Sequence, residues 1–332
     1  MRPPLIFVKR LCYNAITTDK RGATMKKIDF HVHHSDNIPL ADTVQNFRDM
    51  CKRKGYVGIC THAYVRDGAT GYHPDCNEAA LALKQAMPEA YAFAALHHER
   101  DLVAQAKEYM AAGFDGIKLL EGKPNTYRYN GFGYEAPTFE AFFAYAEEAG
   151  IPLMIHNNDP ISHWSIETAT PRAIEMGWVY DETYPSQEWF FAALEDVLHR
   201  HPRLRAALAH MGFYADELPR AAALLDACPN LYLDITPAPV IYEHLSAAPE
   251  ESRAFFEKYH ERLIYGTDAQ NDLTGFAREY NDPKTDIIST FLEGSTPRRI
   301  GKYDLHPIGL PTEMLENIYY NNAMRFVKKD GK

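Results

Sequence analysis

Fifteen histidines are spread over 332 residues, so their number says little and their positions decide. His31 and His33 stand two apart in Ile-Asp-Phe-His-Val-His-His, at the end of a β-rich apolar run. Strand side chains alternate with a period of two, so both imidazoles project from one face. That geometry suits two nitrogens chelating one ion. His156 ends Pro-Leu-Met-Ile-His, His210 ends Ala-Ala-Leu-Ala-His, and Asp268 follows Ile-Tyr-Gly-Thr. Three of these imidazoles, neutral, with the one carboxylate form a donor set for Zn2+ or a similar borderline ion, with a position left open for water or substrate. Any one of these histidines alone reads better as a hydrogen-bonded core residue than as a ligand. Their joint placement at strand ends argues for a metal site.

Positioning such a set is the work of repeated βα units. Short apolar runs at 27–31, 56–61, 91–96, 116–120, 152–156, 205–210, 231–235 and 263–267 alternate with amphipathic segments at 43–54, 77–86, 102–112, 139–149, 188–200, 218–227, 251–260 and 312–328. Asn77 and Ser186 read as helix N-caps, and Gly55, Gly113 and Gly150 as helix stops. Eight βα units in one chain predict an α/β fold, a single-domain (β/α)8 TIM barrel over 25–332. Its functional face is the end where the strands point their C-termini. Two connections exceed ordinary turns: 157–185 after strand 5 and 269–311 after strand 8. They are read as lids or substrate walls, with surface decoration the equal alternative. Residues 1–24 lack periodicity and Met25 directly precedes the first strand, so the segment is expected to be a disordered extension, with an upstream start-codon artefact the alternative.

A formal charge of -10 offers no basic stripe for a phosphate backbone, which argues against nucleic acid as a partner. No apolar run reaches the ~20 residues of a membrane span, and 5–8 is too short for a signal-peptide core. A cytoplasmic enzyme acting on a small molecule is expected, and the sequence permits a homo-oligomer. Cys12, Cys51, Cys60, Cys76 and Cys228 are odd in number and contain no C-x-x-C pair, so reduced thiols are expected rather than disulfides or a thiolate zinc site.

The segments IDFHVHH, PLMIHNND, ALAHMGF, LYLDITP and IYGTDA, with the closing helix LENIYYNNAMRF, together resemble the amidohydrolase-related branch of the amidohydrolase superfamily over 26–328. Members of that branch are metal-dependent TIM-barrel hydrolases, lactonases and non-oxidative decarboxylases. The resemblance implies His31, His33, His156 and Asp268 as ligands of one divalent ion. His210 becomes a nearby catalytic group. Zn2+ is the expected ion and Mn2+ the alternative; a second metal is not expected, because the branch is usually mononuclear.

Lys118, ending the fourth run in Gly-Ile-Lys-Leu-Leu, could bridge two metals as a carbamate, pair with a substrate carboxylate, or snorkel out of the mouth. Substrate contact is the favoured reading. Lys123 and Arg128 follow on the same βα loop, which suggests an anionic substrate with solvated loop charge the equal alternative, and His62 follows strand 2. Trp164 and Trp178 are read as ligand cover or loop core, and His34, His73, His163, His199, His201, His244, His260 and His306 as surface, capping or packing residues. The expected reaction is hydrolysis of a lactone, amide or ring bond by an ion-activated water. Asp268 serves as general base, and His210 steadies the oxyanion. Decarboxylation at the same site is the rival. A barrel that binds without turnover is the less favoured third reading.

Overall fold

Each of the eight apolar runs contributes to one parallel sheet. The structure, a computed structural model, describes residues 25–34, 38–64, 76–238, 240–271 and 275–328. The extension 1–24, Cys12 and His73 lie outside the described residues. The strands are β1 (Lys27–His33), β2 (Tyr56–His62), β3 (Ala90–Ala95), β4 (Gly116–Gly122), β5 (Leu153–Asn157), β6 (Ala206–Leu208), β7 (Leu231–Asp234), β8 (Leu263–Ile264) and β9 (Ala269–Gln270). They pair in the order β8-β7-β6-β5-β4-β3-β2-β1-β9.

β8 and β9 are two halves of the eighth barrel strand, interrupted by residues 265–268. The first pairs with β7 and the second with β1, and Phe30 N donates to Tyr265 O across the same seam at 3.0 Å. That seam closes the ring as a (β/α)8 barrel, with helices outside.

The expected helices form at Leu40–Lys54, Asn77–Ala86, Leu102–Ala112, Pro137–Ala149, Gln187–Arg200, Leu218–Ala227 and Pro249–Tyr259, and a last helical stretch runs from Thr312 to Val327. Gly55, Gly113 and Gly150 cap their helices with φ of 72°, 105° and 64°, as their type predicts. Ser186 caps its helix by accepting from Trp189 N. Asn77 does not act as a cap. It is the first residue of its helix, and its side-chain amide instead exchanges two hydrogen bonds with the Ala95 backbone at 3.0 and 2.8 Å.

Two apolar layers result. Phe47, Leu83, Phe142, Leu194 and Phe256 join the strands to the outer helices. Inside the barrel lie Ile28, Phe30, Phe93, Met154 and Ile264, joined by Phe326 from the closing helix. The Phe326 ring lies 5.6 Å from Phe30 and 5.2 Å from Tyr232. Neither long connection is structureless. The first carries short helical turns at Ile161–Trp164 and Pro171–Glu175; the second carries the helix Gly275–Glu293 and a hairpin of Arg298–Ile300 with Tyr303–Leu305. Cys51, Cys60, Cys76 and Cys228 are free thiols. Among the described residues no helix is long and apolar enough to cross a membrane.

Candidate metal centre

The barrel brings His31, His33 and Asp268 together at the strand C-termini, their donor atoms all within 4.8 Å of one another. His31 Nε2 and His33 Nε2 are 3.1 Å apart, and Asp268 Oδ1 lies 3.2 Å from His33 Nε2 and 3.9 Å from His31 Nε2. Period-two alternation at the end of β1 puts the two rings on one face, as the sequence requires. The β1–β2 register slips between Asp29 and Val32, an irregularity of the kind that re-aims side chains beside functional sites.

The partners of each ring fix its proton. His33 Nδ1 meets the carbonyl of His62 at 3.1 Å, so Nδ1 donates and Nε2 carries the lone pair. That lone pair faces the Asp268 carboxylate. Two electron pairs in contact need a positive charge between them, and burial lowers the proton affinity of His33. His31 Nδ1 donates to Asp234 Oδ2 at 2.6 Å, which turns its Nε2 lone pair toward the same point. Thr236 holds the other Asp234 oxygen through N at 3.0 Å and Oγ1 at 2.5 Å. A carboxylate behind an imidazole is the usual support of a metal-bound histidine. The donor set therefore fits a divalent cation. Sequence reasoning missed the role of Asp234, although its position, an acid ending an apolar strand level with His31, carried the signal.

Asp29 ties β1 to the eighth strand: it accepts from Thr267 N at 2.9 Å, from Thr267 Oγ1 and from His31 N. Burial pushes Asp29 and Asp234 up to about 7. For Asp268 burial also acts upward, but Lys284 and His33 overcome it and hold the carboxyl well below the usual range.

His210 and His156 continue the cluster outward. The His210 ring lies 5.3 Å from His31 and 5.1 Å from His156. His210 Nδ1 donates to Thr236 O at 3.3 Å, and burial keeps the ring neutral, so its Nε2 offers a lone pair. His156 Nε2 has no hydrogen-bond partner among the described residues; the Asp159 carboxylate stands 3.8 Å away. Asp159 in turn accepts from Lys123 at 2.6 Å and from the Tyr180 hydroxyl.

Of the residues expected to touch substrate, Lys118 is 2% exposed with an ammonium that has no hydrogen-bond partner among the described residues. Burial pushes it down to about 8 against the pull of Asp234 and Asp268. His62 is fully buried beside His31 and Phe93; its Nε2 donates to Phe30 O at 2.8 Å and its Nδ1 is unpartnered. Arg128 is exposed, stacked 3.9 Å over Tyr184 and bonded to Thr183. Trp164 packs on Tyr180 within its loop, whereas Trp178 lies 4.5 Å from the Lys123 ammonium.

A family model described as Amidohydrolase matches residues 28–329. No curated protein matches the sequence. Among solved structures, the chain resembles a probable 2-pyrone-4,6-dicarboxylic acid hydrolase from Acinetobacter baumannii with citric acid bound (14% identity, 91% of this chain and 98% of that one, TM-score 0.56). It also resembles 2,6-dihydroxybenzoate decarboxylase from Rhizobium (15% identity, 92% and 99%, TM-score 0.54). A third likeness is to a dihydroxybenzoic acid decarboxylase from a Polaromonas species with bound manganese and an inhibitor (14% identity, 91% and 96%, TM-score 0.53). Likeness at these identities is likeness of fold.

Proposed function

The chain belongs to the amidohydrolase family, and from that premise we propose that it is a metal-dependent hydrolase of a small, carboxylate-bearing organic substrate. The observation that carries this reading is the pair of facing acceptors, His33 Nε2 and Asp268 Oδ1, with His31 Nε2 alongside. His31, His33 and Asp268 would hold the ion, and His156, whose Nε2 has no hydrogen-bond partner among the described residues, would be the fourth ligand. Zn2+ suits the nitrogen-rich donors, and Mn2+ is the alternative. Bound there, a divalent ion supplies Lewis acidity, lowering the pKa of a water and polarising a carbonyl.

The remaining roles fall to the chain itself. Asp268 and the bare Nε2 of His210 accept and return the proton that the reaction moves. With Nδ1 committed to Thr236 O, His210 can donate toward an oxyanion only after it has gained that proton. Lys118, an unpaired buried ammonium, meets the substrate carboxylate. Arg128, exposed and held over Tyr184, is assigned a peripheral substrate contact, and His62, buried beside His31, an inner one.

A second reading is non-oxidative decarboxylation at the same site, with His210 rather than Asp268 returning the proton to the ring carbon, since Lys284 beside Asp268 keeps that carboxylate ionised. Turnover of lactones and of hydroxyaryl carboxylates in 18O-labelled water separates the two. Hydrolysis places 18O in a new carboxylate and releases no CO2. Release of CO2 with no label in the aromatic product would replace the hydrolase reading with the decarboxylase one.

A further inference from the structure

We infer that Lys284 is a positioning residue for Asp268, leaving only one oxygen of that carboxylate to the ion. The inference rests on the metal reading above. Lys284 sits in the helix Gly275–Glu293, within the connection after the eighth strand. Its side chain is buried, and the ammonium donates to the Asp268 backbone carbonyl at 3.0 Å and to Oδ2 at 3.4 Å.

Both contacts bear on a strained residue. Asp268 has φ 55°, in the left-handed region, where a non-glycine residue stays only if its surroundings hold it. The ammonium grips the carbonyl and the far carboxylate oxygen together. Oδ1 is thereby left facing His33 and His31, and Oδ2 is withheld.

The helix that delivers Lys284 is itself pinned. One turn earlier, Asn281 exchanges hydrogen bonds with Gln270: Gln270 N donates to Asn281 Oδ1 at 3.3 Å, and Asn281 Nδ2 donates to Gln270 O at 2.9 Å. Residues three apart share a helix face, so Asn281 and Lys284 meet consecutive parts of the same strand segment. Beside them Thr285 bonds the Tyr56 hydroxyl at 2.9 Å, fixing the helix to the start of β2. The helix is thus fastened to the barrel on both sides of Asp268.

An ammonium near a dication also repels it, so the two effects of Lys284 oppose each other. The carbonyl contact decides between them: it orients the backbone whatever the ion, and the loss of an ordered ligand shell costs a site ~10-fold or more in affinity. Zn2+ binding to the purified full chain, titrated against a chromophoric chelator, is the test, with melting of the metal-free protein as a control for folding.

Lys284→Met is expected to melt like the wild type and bind Zn2+ ~10-fold or more weakly, and Lys284→Arg to recover part of that loss. Unchanged or tighter binding by Lys284→Met would overturn the assignment. If Lys284→Met does not fold, Asn281→Ala decides, because it loosens the same helix without touching Asp268. A fall of ~3-fold, the scale of one lost hydrogen bond, supports the role, and unchanged affinity refutes it. A wild type that takes up no Zn2+ refutes the ion site itself, and the role of Lys284 with it.

Discussion

Asp234 and the His62 carbonyl determine which nitrogen of His31 and of His33 is free to bind, and neither touches the ion position. Asp234→Asn keeps the shape but cannot stabilise the His31 N–H as a carboxylate does. Metal affinity should fall ~10 to 100-fold while the barrel still folds, read by chelator competition beside circular dichroism. Affinity equal to the wild type would show that His31 orients without it. Asp268→Asn should lower turnover by ~100-fold or more, the scale of acid and base catalysis. The same loss is expected of His210→Asn, but with the ion retained. Legibility in the sequence followed from this chemistry. His31, His33, His156, His210 and Asp268 announce themselves by residue type at strand ends. Asp234 ends a strand in the same way, but a lone acid has many structural explanations. Lys284 gave no signal, since a lysine in a long polar connection reads as solvated surface until the packing is seen.

The strand ends are where regular structure gives way to the site. β6 stops at Leu208, two residues short of His210, because His210, Met211, Gly212 and Phe213 all adopt positive φ. Asn158 after β5 and Asp268 in the eighth strand do likewise. Periodicity cannot foresee such turns, so the runs at 205–210 and 263–267 came out longer than the strands. The helix Gly275–Glu293 was hidden for a different reason: Pro283 and the polar residues around it read as a loop, yet tertiary contacts hold it. Close packing also explains the glycine of Ile-Tyr-Gly-Thr-Asp. A Cβ at Gly266 would stand 2.6 Å from Thr236 Oγ1 and 2.7 Å from both Asp234 Oδ1 and His31 Cβ. Gly266→Ala should therefore cost ~1 to 3 kcal/mol by overpacking and weaken metal binding, because it displaces the groups behind His31. Denaturant melts with chelator titration check this, and an alanine variant with unaltered metal affinity would contradict it.

The barrel as a whole was legible because eight repeats of one pattern outweigh errors in any of them, and the closing helix supplied the plug that strand counting leaves out. Phe326 fills the interior against Phe30, Phe93 and Tyr232. Phe326→Ala should lose ~3 to 5 kcal/mol in unfolding experiments. Acid should unfold the metal-free protein for a related reason. Burial pushes His34 and His156 down to about 4 and lowers His31, His33, His62 and His210 as well. A base lowered on folding contributes stability that is whole above its ordinary value of 6.5 and is lost as pH falls toward the lowered one. Asp29 and Asp234, raised to about 7, act oppositely, their share being lost as pH rises through that value. Six histidines outweigh two carboxylates, so the melting temperature should fall between pH 7 and 5; a rise would reverse the balance. The most direct test of the account is metal content by elemental analysis after equilibrium dialysis against Zn2+, for wild type, His31→Asn, His33→Asn and Asp268→Asn. The prediction is close to one tightly held ion per wild-type chain, a loss of most of it in both histidine variants, and weakened retention in Asp268→Asn. A wild type without bound ion, or histidine variants that keep it, would contradict the claim that these residues form a metal centre.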